Sequence, residues 1–157
     1  MPTAEISSNK DAVVTEIEIG APAERVFEAL TDPKQLMRWF TNPGCPVKFW
    51  EMDARIGGRY GYATKKGTVV VNDAREFECH GDILEIDPPR LLVYTWVASW
   101  HVDTSRRTVV RWELTPCAAG TRVKVTHSVL AQEDAARKDY SGGWPGVLEM
   151  LKSFLET

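Results

Sequence analysis

A chain of 157 residues with 43% hydrophobic and 26% charged residues has the size and balance of one globular domain. Its net charge of −3, with no basic stripe beyond the pairs Lys65-Lys66 and Arg106-Arg107, argues against nucleic-acid binding. Cys45, Cys79 and Cys117 are odd in number, far apart and without a CxxC pair, so neither a disulfide framework nor a zinc site is expected.

The opening MPTAEISSNKDA is polar and lacks the apolar stretch of a signal peptide, and no apolar run reaches the length of a membrane span. A cytoplasmic protein is expected, with residues 1–11 as a flexible arm and residues 12–157 as a single domain. Val13, Thr15, Ile17 and Ile19 alternate with more polar neighbours, which predicts a half-buried strand. Ala21-Pro22 ends it and opens a short helix whose apolar face is Val26, Phe27 and Leu30. Asp32 can cap a second short helix that Pro33 opens and that carries Leu36, Trp39 and Phe40.

From Pro46 onward the signals are strand and turn. Strands are predicted over 47–52 and 59–63, separated by the turn Ile56-Gly57-Gly58, with Tyr60 and Tyr62 sharing a face. Lys65-Lys66-Gly67 reads as a hairpin turn before a strand over 68–72. Longer strands follow over 76–86 and 91–98, split by Asp87-Pro88-Pro89. After a loop from Trp100 to Arg107, residues 108–115 place Val110, Trp112 and Leu114 inward. Cys117 to Gly120 turn the chain into a strand over 121–129, with Val123, Val125, His127 and Val129 on one face.

The last stretch, SGGWPGVLEMLKSFLE, predicts a helix from Ser141 to Glu156. Trp144, Val147, Leu148, Leu151, Phe154 and Leu155 form a broad apolar stripe, Gly142 and Gly143 let the chain turn before the helix, and Pro145 suits its first turn. Such a stripe needs burial, and the run of strands is the natural partner. The expected fold is α+β: a helix-grip, with a curved antiparallel β-sheet wrapped around a long C-terminal α-helix and two short helices after the first strand.

The segments IEIGAPAERVFEALTDPKQLMRWF, MDARIGGRY, GDILEIDPPRLLVYTW, TVVRWELTPCAAGTRVKVTHSVL and GGWPGVLEMLKSFLE follow one another in an order that resembles a known family. It is the family named for the activator of the ninety-kilodalton heat-shock protein's ATPase, within the START-like superfamily that includes polyketide cyclases. The resemblance spans about residues 13 to 156 and implies a cavity between sheet and helix; it brings no shared catalytic motif. The segment 63–76 departs most from the pattern.

The residues themselves carry no GxSxG, HExxH, P-loop or GxGxxG motif. No catalytic residue, metal ligand or cofactor is assigned. His127 has the parity of an inward residue and needs partners for its ring nitrogens, either from the protein or as a polar handle on a cavity wall. His80 has the outward parity, and His101 lies in a loop without an evident partner. Large rings cluster on the elements expected to face inward, either filling the core or lining a ligand pocket. The cavity candidates are Trp39, Phe49, Tyr60, Tyr62, Trp96, Trp112, His127, Trp144, Leu148 and Leu151. Three functional readings follow. The first is a binding module for an apolar or aromatic small molecule. The second is an interaction protein whose partner is a heat-shock ATPase or another protein, and the third a cyclase- or hydrolase-type enzyme using His127 and a tyrosine. A monomer or homodimer is expected, with no nucleic-acid or membrane partner.

Overall fold

The computed structural model describes residues 2–157; Met1 lies outside the described residues. Eight strands are β1 (Ala4–Ile6), β2 (Val13–Ile19), β3 (Val47–Met52), β4 (Arg59–Thr64), β5 (Glu78–Asp87), β6 (Leu91–Ala98), β7 (Thr108–Cys117) and β8 (Gly120–Ser128). Three helices are α1 (Ala23–Thr31), α2 (Pro33–Trp39) and α3 (Asp134–Glu156). The strands form one sheet in the order β1-β2-β8-β7-β6-β5-β4-β3, and every pairing is antiparallel. From β3 to β8 each strand pairs with its successor, and the sheet is completed where β2 pairs β8. This is the helix-grip arrangement, with the two short helices between β2 and β3.

Local chemistry explains the frame. Asp32 caps α2 by accepting from the Lys34 backbone N–H at 3.0 Å, and Pro33 follows at the first helical position. On β7 and β8 the alternation is clean: Val110, Trp112, Leu114, Val123, Val125 and His127 are all buried. Trp144, Leu148 and Leu151 of α3 are buried as well.

Four expectations from the sequence need correction. Residues 4–6 within the arm form an edge strand, with Glu5 opposite Val14. No strand forms over 68–72; a single bridge joins Val71 to Ala74 around Asn72 and Asp73, whose φ angles of 48° and 66° make a left-handed turn. β8 stops at Ser128, because Val129 adopts φ 65° and turns outward, 41% exposed.

The largest correction is at α3, which starts at Asp134 and not at Ser141, so Gly142, Gly143 and Pro145 sit inside it. Ala136, Tyr140, Trp144 and Leu148 recur every fourth residue and are all buried, so the apolar stripe continues past the glycines. The helix is held at both ends. Near its start the Glu133 carboxylate accepts from the backbone N–H groups of Val102 and Asp103 and pairs Arg106 at 2.8 Å. At its end Glu156 accepts from the Gly20 N–H, and Lys152 donates to the Glu18 carbonyl. Tertiary anchoring therefore overrides weak local propensity.

Leu151 is fully buried in the gripped stripe, so Leu151→Ala is expected to lower stability by about 2–5 kcal/mol. Lys152→Ala, which breaks an exposed ion pair with Glu156, is expected to lose less than about 1 kcal/mol. Urea denaturation of the two variants checks the contrast; equal losses would mean that this face of α3 is not the gripped one.

Candidate functional site

A cavity of about 430 Å³ lies beside the middle of α3. Its walls come from the 40–47 segment, β4, the 69–77 loop, the end of β6 and α3 itself. The deep wall is aromatic. Phe40 packs on Tyr62 at 5.6 Å, Tyr62 meets Trp96 edge-on at 5.8 Å, and Trp96 meets Trp144 at 5.6 Å. Phe77 and Trp100 continue the surface, perpendicular at 5.3 Å.

The α3 wall has the opposite character. Asp139, Gly142, Gly143, Gly146, Val147 and Met150 share one helical face toward the cavity, roughly a quarter-turn from the sheet-facing stripe. A methyl group built on any of the three glycines would meet no atom within 4 Å. Asn42, Asp139, Gly142 and Gly143 are the exposed members of the lining, which places the opening between the 42–45 loop and α3.

Polar groups behind the aromatic wall are chained together. Trp144 Nε1 donates to His127 Nδ1 at 3.2 Å, which fixes the proton of this neutral ring on Nε2. Nε2 then donates to Thr108 Oγ1 at 2.8 Å, and Thr108 donates to the Trp96 carbonyl at 2.7 Å. Beside this chain, Trp96 Nε1 donates to the Tyr140 hydroxyl at 2.9 Å, which also bonds His101 Nε2 at 2.7 Å. The Trp100 indole N–H leans on the same hydroxyl without completing a hydrogen bond, and His101 Nδ1 is also left without a partner.

The ten candidate residues divide accordingly. Tyr62, Trp96 and Trp144 line the cavity. Trp39, Tyr60, Trp112, Leu148 and Leu151 are buried in the core away from it. Tyr60 donates to the Thr95 carbonyl, Trp112 to the Tyr94 hydroxyl and Trp39 to the Ala29 carbonyl, so their polar atoms serve the fold. His127 is fully buried behind the wall with both ring nitrogens satisfied by protein, so it is no polar handle for a ligand. Phe49 points outward, 46% exposed. A register shift between Val47 and Phe49 inverts the alternation of β3, and Trp50 takes the inward place, stacked on Tyr62 at 4.6 Å. His80 is exposed as its parity implies. His101 is buried against Tyr140 and not free in its loop.

Against known proteins, residues 20–156 match the family model described as Activator of Hsp90 ATPase homolog 1-like protein. The chain belongs to this family. No functionally curated protein matches it. Among solved structures, a Chromobacterium violaceum protein is similar at 23% identity and TM-score 0.79, over 94% of this chain and 99% of the other. A Mesorhizobium loti protein is similar at 26% identity and TM-score 0.68, over 92% and 96%. A protein of the dynemicin biosynthetic locus shares the fold at 22% identity and TM-score 0.70, over 94% of this chain and 48% of that one.

In this Hsp90-activator-like chain, sequence reasoning missed Phe40, Phe77, Trp100, Asp139, Tyr140 and the helix glycines as cavity residues. The four-residue spacing Ala136-Tyr140-Trp144 marks Tyr140 as a residue of the inward face of α3, and Asp139 lies on the neighbouring face. Phe77 and Trp100 come from irregular segments, where no period signals direction. Among the described residues no cluster of three or more His, Cys, Asp or Glu could hold a metal ion, and no helix is long and apolar enough to cross a membrane.

Burial holds His127 well below the ordinary histidine range, with His101 nearby adding to the effect. His101 is also lowered, first by burial and then by Arg106, against the opposing pull of Glu133. Below about pH 6.5 the unfolded chain binds protons that the folded chain refuses, so stability is full above that value and is lost as the pH falls. Denaturation midpoints taken from about pH 7.5 down to about pH 5.5 should therefore decline. His127→Gln, which cannot titrate, should flatten the decline; an unchanged slope would show that His127 does not drive it.

Proposed function

We propose that this protein is a binding module that holds an apolar or aromatic small molecule in the cavity beside α3. The observation that carries the reading is the glycine face of the helix. Each interior glycine weakens a helix by about 1 kcal/mol relative to alanine. Gly142, Gly143 and Gly146 all turn toward the cavity, where alanine would meet no obstacle. Helix stability alone would favour alanine at these positions; keeping the volume open favours glycine.

The aromatic wall supports the same reading. Trp96, Trp144, Tyr62 and Phe40 are fixed by mutual packing and, for the two tryptophans, by hydrogen bonds to Tyr140 and His127. A ligand therefore meets rigid rings, and little side-chain freedom remains to be lost on binding. The family match and the neighbour from a biosynthetic locus are consistent with small-molecule handling. For an acid–base enzyme built on His127 the geometry offers no support, since that ring is sealed from the cavity. The large exposed apolar residues include Ile6, Phe49, Ile56, Leu84 and Val102, spread over different elements, which favours no particular protein-docking face.

Gly146→Ala is expected to raise stability by up to about 1 kcal/mol, because its methyl meets open space. Gly146→Leu fills the cavity and is expected to abolish the rise in melting temperature that an aromatic ligand such as naphthalene methanol gives the native protein. At a hundred times the dissociation constant that rise corresponds to about 2.7 kcal/mol. Thermal denaturation with and without ligand, read by tryptophan fluorescence, tests both variants. An unchanged ligand response in Gly146→Leu would place the binding elsewhere and refute the proposal.

A further inference from the structure

We infer that the ligand of this cavity is an aromatic amine, its rings against Trp96 and Trp144 and its ammonium group against Asp139 at the opening. This inference rests on the binding-module reading and specifies the ligand's chemistry.

Among the described residues Asp139 is the one charged side chain in the cavity lining. It sits on the cavity face of α3, one turn from Gly142 and Gly143, where the opening lies. Among the described residues no arginine, lysine or hydrogen-bond donor pairs with its carboxylate. Carboxylates at the two ends of α3 are used by the fold: Glu133 by Arg106, Asp134 by Arg137, and Glu156 by Lys152 and the Gly20 N–H. Glu149, also on α3, lies outside the cavity lining. Partial desolvation pushes the Asp139 carboxyl above its ordinary range, and no compensating contact pulls it back. The Cys45 thiol across the opening is likewise raised, first by burial and then by the charge of Asp139.

A negative group at the rim of an aromatic box selects by charge. An ammonium would pair with Asp139 while its ring system faces the indoles, and the quadrupoles of those rings attract a cation as well. A carboxylate in the same place would be repelled by Asp139 and would find no cationic partner in the lining. The Tyr62 hydroxyl and the Trp100 N–H remain as neutral polar points deeper in.

Three probes of nearly equal shape isolate the charge: α-naphthylmethylamine, α-naphthylmethanol and α-naphthoate. Titration calorimetry at neutral pH should show the amine binding roughly tenfold tighter than the alcohol, and the acid weakest. Asp139→Asn should bring the amine down to the level of the alcohol, and continued binding of the alcohol shows that the cavity is intact in the variant. Alcohol binding with no preference for the amine, or an amine preference that survives Asp139→Asn, overturns the inference and leaves the cavity reading standing. Silence from all three probes overturns the amine assignment and, because the alcohol is also the ligand of the Gly146→Leu comparison, the binding-module reading with it.

Discussion

The hydrogen bond from Trp144 Nε1 to His127 Nδ1 fixes the rotation of α3 on the sheet. A helix that packs by an apolar stripe alone can slide or roll by part of a turn at little cost, because the hydrophobic effect has no direction. A buried indole that must find an acceptor has a direction, and leaving either partner unsatisfied costs about 1–3 kcal/mol. With Trp144 held on β8 and Tyr140 held one turn earlier by Trp96, the helix has one seating. That seating turns Gly142, Gly143 and Gly146 toward the open volume and not into the core. The cavity is thus a consequence of where two polar ring atoms on the helix find their partners.

Much of the frame was legible in the sequence because it obeys simple periods. β7 and β8 alternate without interruption, and Asp32-Pro33 marks the start of α2 by chemistry that needs no tertiary help. What failed to read were places where a local rule was overruled. Gly142-Gly143 and Pro145 look like a helix boundary by propensity, yet anchors on both sides carry the helix through them. Phe49 counts among the cavity candidates as a large ring on an inward-facing element, yet one shift in β3 gives the inward place to Trp50. The candidate site suffered more than the fold for the same reason. Parity tells which ring faces inward but not whether a void lies beyond it, so Tyr62 and Trp112 read alike although only Tyr62 reaches the cavity.

The buried histidine shows how a polar residue in a core can be structural and still matter to the site. His127 lies under the aromatic wall and is shielded by Trp96, Tyr140 and Trp144, whose rings are 5.4, 4.3 and 5.8 Å away. It accepts from the helix on one side and donates into the sheet on the other, so it joins the cavity's helical wall to the sheet. Its neutral form is essential to that task, since a protonated ring would have no lone pair for the Trp144 N–H.

The open volume itself is the remaining physical fact to be explained. Folds close apolar voids where they can, because each cubic ångström of cavity costs on the order of 24 cal/mol. Here three choices on α3 work against closure: glycine at 142, 143 and 146, each where a methyl group would meet no atom within 4 Å. Pro145 adds a missing N–H in the same turn, weakening the helix further at that point. A sequence selected for stability alone could remove these weaknesses by single substitutions without disturbing the sheet. The three glycines, unlike Pro145, share one face opposite the rings of Trp96 and Tyr62, which is what a fold would need if the space between were to be occupied by something other than its own side chains.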